Sequence, residues 1–266
     1  MSSSRLLIVK IGGNVIDDRR ALQDFLEKFA ALPGKKILVH GGGKLASSLS
    51  ERLGIKVDMV DGRRITDEDT LQVTTMVYAG LTNKTIVSKL QALGCDAVGL
   101  SGADGNVIQT MKRPVKEVDY GFVGDVMYDS VNVPNIKKFL DGGFTPVFSA
   151  ITHNGQGQLL NTNADTIASA LAVAMTSIYE STLIYCFEKP GVMRDVTDPQ
   201  SVIPEMSVTD FERMQKVGTV AAGMIPKLQN AFDALGKGVT GIFIGEASAL
   251  HLIQNARAGT KIVLKK

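Results

Sequence analysis

The sequence predicts an α/β protein: a three-layer αβα sandwich whose open, mainly parallel central sheet carries helices on both faces. Three observations carry that prediction. Short, nearly unbroken apolar runs such as RLLIVKI at residues 5–11 and KILVH at residues 36–40 read as strands buried on both sides. Helical patterns stopped by Gly or Pro separate these runs, beginning at the first residues and continuing along the chain. The turn HGGGKLA at residues 40–46 passes from strand to helix through glycines, and no fixed-period repeat or low-complexity segment interrupts the alternation.

In chain order, the first strand spans residues 5–11 and a helix follows at residues 18–32, stopped by Pro33 and Gly34. A strand at residues 36–40 leads into a helix at residues 44–53, stopped by Gly54. IKVDMV at residues 55–60 reads as a further strand, and residues 67–93 as a long helix with a break near Gly80. A strand at residues 97–100 follows. Between residues 103 and 128 the pattern weakens, and GNVIQTMKRPV and GFVGDVMYD read as a hairpin-rich excursion. Beyond it come a helix at 133–142, a strand at 145–150, a helix at 165–177 and a strand at 182–187. A helix at 225–235 and strands at 241–244 and 261–264 complete the series. One domain is expected over residues 1–266. A soft boundary at residues 177–181 divides an N-terminal lobe of about 1–178 from a C-terminal lobe of about 179–266.

Composition limits the function. With 29 Lys and Arg against 27 Asp and Glu, the net charge of +2 gives no general attraction to nucleic acid or an anionic membrane, so any preference for anions must be local. Cys95 and Cys186 form no CxxC, and with only His40, His153 and His251 to join them they indicate neither a disulfide framework nor a zinc site. The opening MSSSRLL lacks the features of a secretory signal. The most apolar region, residues 167–187, is broken by Glu180 and several Ser and Thr residues, as in a buried helix and strand rather than a membrane span. A cytoplasmic protein is expected.

The loop HGGGKLA exposes backbone N–H groups at the positive end of a helix, which suits a phosphate or a carboxylate. It also fits G-x-G-x-x-A through Gly41, Gly43 and Ala46, with Asp61 downstream, so a Rossmann-type dinucleotide site is an alternative. A tight turn with no ligand is another. No G-x-x-x-x-G-K-[ST] occurs, which excludes a Walker P-loop. Pro226 suits the first position of a helix and places Lys227 in its first turn, where a cation opposes the dipole by ~0.5 kcal/mol unless an anion compensates. Lys44 is a milder case. Lys10, at the end of a central strand, would be buried unless its ammonium met an anion. In NTNADTIASALA, Asn163 can cap a helix and Asp165 lies in the first turn, either serving the dipole or holding lysines in place. Arg63 and Arg64 of GRRIT offer planar forks for a carboxylate.

Together, VKIGG at 9–13, VHGGGK at 39–44, DGRRIT at 61–66, NTNAD at 161–165 and GMIPK at 223–227 resemble the ordered signature of the amino acid kinase family. AGLTNK at 79–84 and VGLSGADG at 98–105 extend the resemblance over nearly the whole chain. More narrowly it resembles the branch that phosphorylates the side-chain carboxylate of N-acetyl-L-glutamate in arginine biosynthesis; the alternative is the same reaction on N-succinyl-L-glutamate or another small acid.

The resemblance implies the amino acid kinase, or carbamate kinase-like, fold, ATP as co-substrate and Mg²⁺ carried on its phosphates, with no protein-held metal. By position, Lys10 would contact the transferring γ-phosphoryl group, Lys227 the β–γ region, neutralising charge on the leaving diphosphate, and Asp165 would orient both ammonium groups. Backbone N–H groups of Gly12, Gly13 and Gly43 would bind phosphoryl oxygens; Gly42, Gly43, Arg64 and Asn161 would hold the acylglutamate. Glu188, Gly191, Met224 and Lys227 would face ATP, although IYCFEKPGVMRD at 184–195 departs from the family's Ser/Thr-Asp-Val-x-Gly turn through Lys189 and Pro190. Arginine-inhibited members carry an additional N-terminal helix that builds a hexamer. The start on residue 5 therefore implies an arginine-insensitive homodimer joined through the N-terminal lobe.

Overall fold

The computed structural model describes residues 4–60, 62–218 and 224–264. Asp61 and Gly223, both within the motifs above, lie outside the described residues. The strands and helices run in the order β1 (Arg5–Ile11), α1 (Gly13–Asp17), α2 (Arg19–Ala30), β2 (Lys35–His40), α3 (Gly43–Arg52), β3 (Met59–Val60), β4 (Arg63–Arg64) and α4 (Glu68–Thr75). A π-helical stretch, Met76–Thr82, joins α4 to α5 (Asn83–Ala92), so the predicted long helix is continuous and Gly80 marks widened winding rather than a break. Then come β5 (Ala97–Leu100), β6 (Met111–Lys112), β7 (Gly124–Asp125), α6 (Val133–Asp141), β8 (Thr145–Phe148), β9 (Ile151–His153), β10 (Leu159–Asn161) and α7 (Ala164–Met175). The last are β11 (Glu180–Phe187), β12 (Glu205–Ser207), α8 (Val208–Val217), α9 (Ile225–Gly236), β13 (Gly241–Glu246), α10 (Leu250–Ile253) and β14 (Thr260–Val263).

Among the described residues one eight-stranded sheet has the order β12-β14-β13-β11-β1-β2-β8-β5. Its pairs are parallel except β13 with β14. Alternation along β1 divides the core. Leu6 and Ile8 join Ile136, Ile167, Leu171, Leu228 and Ala231 on the face covered by α6, α7 and α9. Val9 and Ile11 join Phe25, Phe29, Ile86 and Leu250 under α2, α5 and α10. The expected three layers are therefore present. The chain leaves β1 toward β2 and returns to β1's other flank with β11, which opens a crevice at the C-terminal ends of these strands.

Residues 103–128 fold back as expected of a hairpin-rich excursion, β6 pairing antiparallel with β7. The predicted strand at 145–150 ends at Phe148, and the chain turns at once into the β9–β10 hairpin. The helix α8 is not among the expected elements; Ser207 and Asp210 close a reciprocal capping box at its start. IKVDMV pairs over Met59 and Val60 alone, forming with β4 a two-residue hairpin beside the crevice.

The excursion docks on that hairpin by close backbone approach. Phe122 N–H donates to the Thr66 carbonyl at 2.7 Å, and Thr66 N–H donates to Tyr120 O at 3.0 Å. Between them Gly121 takes φ +71°, and a Cβ there would stand 2.2 Å from Thr66 O. Both the left-handed backbone and the contact demand glycine. Gly121→Ala is expected to cost about 3 kcal/mol in a urea unfolding titration; a loss under about 1 kcal/mol would show that the docking tolerates a side chain.

Candidate active site

Continuing the alternation of Leu6 and Ile8 puts Lys10 on the α7 face of β1. The N-cap of α7 is Asn163, whose Oδ1 accepts from Thr166 N–H at 3.1 Å, so Asp165 is not needed as a cap. Instead its carboxylate lies between two ammonium groups. Lys10 Nζ is 2.7 Å from Oδ1 and Lys227 Nζ is 2.6 Å from Oδ2. Lys227 reaches it from the first turn of α9, one residue after Pro226, which occupies the second rather than the first helical position. The three side chains are only 12%, 14% and 19% exposed, for Lys10, Lys227 and Asp165.

Burial pushes the Asp165 carboxyl upward, but the charges and hydrogen bonds of Lys10 and Lys227 outweigh it and hold the group well below the usual carboxylate range. Lys227 is pushed down, first by burial and then by the like charge of Lys10, with Asp165 and Glu188 opposing. Tyr185, register partner of Lys10 on β11, forms the floor. Its hydroxyl donates to the Asp165 backbone carbonyl at 3.3 Å, and its ring centroid lies 5.2 Å from Lys227 Nζ. Two ammonium groups and one carboxylate leave one net positive charge at the strand ends, a local attraction for an anion in a nearly neutral chain.

The triad borders a cleft of about 720 Å³, lined by Lys10 and Asp165 together with the Gly-rich loop and the β3–β4 hairpin. Gly13 and Gly43 each open a helix, so their N–H groups have no acceptor within the helix and stand at its positive end. The expectation for Gly12 is corrected: its N–H donates to Cys186 O at 2.9 Å, extending the β1–β11 ladder, and is thereby occupied. Gly42 packs against the ring of Tyr78, where a Cβ would come within 2.8 Å of Cδ1.

Arg64 is buried beside the Gly-rich loop and lines the cleft. Its Nη2 donates to Gly43 O at 3.0 Å and to Ser47 Oγ at 2.7 Å, while Nη1 is buried with no hydrogen-bond partner. The guanidinium also interacts with the Tyr78 hydroxyl, and both residues line the cleft. Asn161 Nδ2 donates to Thr66 Oγ1 at 3.0 Å, and Thr66 Oγ1 donates to Arg64 O at 3.1 Å, which ties β10 to the β3–β4 hairpin. Lys44 Nζ donates to Asn14 Oδ1 and, with Arg63, also lines the cleft.

Of the residues expected to face a nucleotide, Glu188 lines the cleft, just past the end of β11. Gly191 does not: a Cβ there would be 2.8 Å from Thr260 Oγ1, so this glycine admits β14 against the turn. Met224 stands at the N-cap of α9 and packs on the core. Sequence reasoning missed Tyr78, Tyr185 and the Arg113–Asp125 pair of the cleft wall, with Nε to Oδ1 at 2.9 Å. The strand period could have matched Tyr185 to Lys10; the other two depend on the π-helical register and the excursion's docking. Among the described residues no three His, Cys, Asp or Glu side chains converge as metal ligands, and no helix is long and apolar enough to cross a membrane.

Comparison with known proteins gives one consistent result. A family model described as "Amino acid kinase family" matches residues 5–246. Acetylglutamate kinase of Bacteroides fragilis is 51% identical over 247 residues, 93% of this chain and 94% of that protein. A crystal structure of a Streptococcus mutans protein superposes with a TM-score of 0.79 at 26% identity, covering 98% of this chain and 99% of that one. Carbamate kinase from Giardia lamblia superposes with a TM-score of 0.69 at 16% identity, covering 100% of both chains, which speaks for the fold. These matches replace the dinucleotide-binding alternative.

The depressed carboxyl of Asp165 has a sign in stability. A carboxylate whose pKa is lower folded than unfolded adds stability that is complete above its unfolded value of 3.8 and is lost as pH falls through its folded value. Asp165→Asn is expected to cost about 2–4 kcal/mol near neutrality, because two cations lose their shared partner. The gap between the two proteins in urea titrations should be constant from about pH 6 to 8 and shrink only below about pH 4. A gap already shrinking above about pH 5 would show that Asp165 is not held ionised.

Proposed function

The chain belongs to the amino acid kinase family, and we propose that it transfers the γ-phosphoryl group of ATP to the side-chain carboxylate of N-acetyl-L-glutamate, an arginine-biosynthetic step. The observation that carries this is the buried pair of ammonium groups on one carboxylate, at the edge of a cleft with donors for an anionic acceptor at its other end. The nucleophile is a carboxylate, ionised at neutral pH, so no general base is required. What remains is to bring two anions into line and to stabilise the charge of the moving phosphoryl group.

The roles of the residues are those the family resemblance implies, and the chemistry is compatible with each. Lys10, ending β1, faces the transferring phosphoryl group; Lys227, in the first turn of α9, neutralises the leaving diphosphate. Asp165 keeps the two ammonium groups apart and aimed, acting through them. Gly13 and Gly43 offer N–H donors to phosphoryl oxygens, and Gly42, Gly43, Arg64 and Asn161 receive the acylglutamate. Glu188, near Lys227, marks the nucleotide side. In this reading Mg²⁺ is carried on the ATP phosphates, with water filling its remaining positions. The part up to about residue 178 binds the acceptor and joins two copies into a homodimer, and the part beyond it binds ATP.

Hydroxylamine trapping of the acyl phosphate, with ATP, Mg²⁺ and free, acetylated and succinylated glutamates, tests the reading. Product is expected with N-acetyl-L-glutamate; its absence there, or equal product with free glutamate, would refute the assignment. Lys10→Ala and Lys227→Ala are each expected to lower kcat at least ~100-fold, the scale of losing one preorganised charge contact. Turnover near the wild-type rate in either variant would remove that lysine from the chemistry.

A further inference from the structure

Beneath the Gly-rich loop lies a buried polar group that phosphoryl transfer does not use. His40, the last residue of β2, is fully buried. Its Nδ1 is 2.8 Å from the carbonyl oxygen of Gly41, and its Nε2 is 3.0 Å from Asn83 Nδ2. Asn83, equally buried at the start of α5, also places Nδ2 2.9 Å from Val147 O, and its Oδ1 is 3.2 Å from Lys84 Nζ. Lys84 Nζ lies 3.3 Å from Gly99 O. A Cβ on Gly99 would come within 1.9 Å of Asn83 Oδ1, so β5 carries a glycine where the amide is seated. Four elements, β2, α5, β5 and β8, thus meet at the Asn83 amide, which holds the imidazole.

Donor and acceptor rules fix the proton. The Val147 carbonyl can only accept and the Lys84 ammonium can only donate, so the Asn83 amide has a single consistent orientation, with Nδ2 toward Val147 and His40. His40 Nε2 must then accept. The ring proton is therefore on Nδ1, where it donates to the Gly41 carbonyl. Burial holds this imidazole down to about 4, against the Gly41 bond that favours the charged form, so the ring is neutral at neutral pH.

The geometry carries further along the chain. In a trans peptide the C=O and the following N–H point in opposite directions from one rigid plane, and no cis peptide is present among the described residues. Holding the Gly41 carbonyl toward His40 turns the Gly42 N–H away from the buried layer, to the side where Gly42 lines the cleft. The ring of Tyr78 closes the other flank of Gly42, from the π-helical stretch that leads directly into Asn83. We propose that His40, oriented by Asn83, is a positioning residue that sets the Gly41–Gly42 peptide so that the Gly42 N–H faces the acceptor carboxylate. The proposal rests on the acylglutamate reading of the cleft and adds the device that aims one of its donors.

The test joins kinetics to spectroscopy on the full chain. In ¹⁵N-histidine-labelled wild-type protein, long-range ¹H–¹⁵N correlation at pH 7 should show His40 with its proton on Nδ1; a proton on Nε2 would overturn the proposal whatever any variant does. His40→Leu, scored only if its thermal unfolding shows a folded protein, should raise KM for N-acetyl-L-glutamate at least tenfold while KM for ATP stays within threefold. His40→Asn, whose side-chain amide can place an N–H where Nδ1 stands, should recover KM to within about fivefold of wild type. An unchanged acceptor KM in His40→Leu, or an equal rise in both KM values, would overturn it. Failure of the wild-type enzyme to use acylglutamate would instead refute the parent reading, and the tautomer measurement would still judge His40.

Discussion

The site depends on one buried carboxylate shared by two cations. Asp165 sits where α7 begins, Lys10 where β1 ends and Lys227 where α9 begins, so three elements distant in sequence meet on a single side chain. Desolvation penalises every charge in that arrangement, and removing any one member leaves another uncompensated. The triad carries one positive charge at the edge of the cleft, and in the proposed function an incoming phosphate compensates it. Lys227 in the first turn of α9 would be unfavourable alone. With Asp165 at 2.6 Å it becomes half of a preorganised anion receptor.

The acceptor end uses a different device. The Gly-rich loop supplies backbone donors and little side-chain bulk, so its geometry is set from outside: by Tyr78 against Gly42, by Arg64 on the Gly43 carbonyl and by His40 on the Gly41 carbonyl. The excursion at residues 103–128 reaches the same region from the other side, docking on Thr66 and carrying Arg113 and Asp125 into the cleft wall. In the proposed function the acceptor and phosphoryl ends are thereby held by separate parts of the fold and meet across one cleft of about 720 Å³.

Much of this was legible in the chain because its signals are local. The strand period put Lys10 on a definite face, Asn163 announced the start of α7, and Gly43 with Lys44 announced the start of α3. Motif order joined these positions into one site. What could not be read depends on contacts between distant segments. Nothing local in the chain shows that the Gly12 N–H donates to Cys186, that Gly191 packs against Thr260, or that Asn83 reaches under His40. The π-helical winding at Met76–Thr82 is likewise a matter of packing, since Gly80 alone reads as a break.

The central claim is that Asp165 organises phosphoryl transfer without touching substrate, and single-turnover kinetics tests it most directly. With ATP and N-acetyl-L-glutamate both saturating, Asp165→Asn should slow acyl phosphate formation at least ~100-fold while its affinity for ATP stays within threefold. A single-turnover rate within threefold of wild type in folded Asp165→Asn would contradict the account.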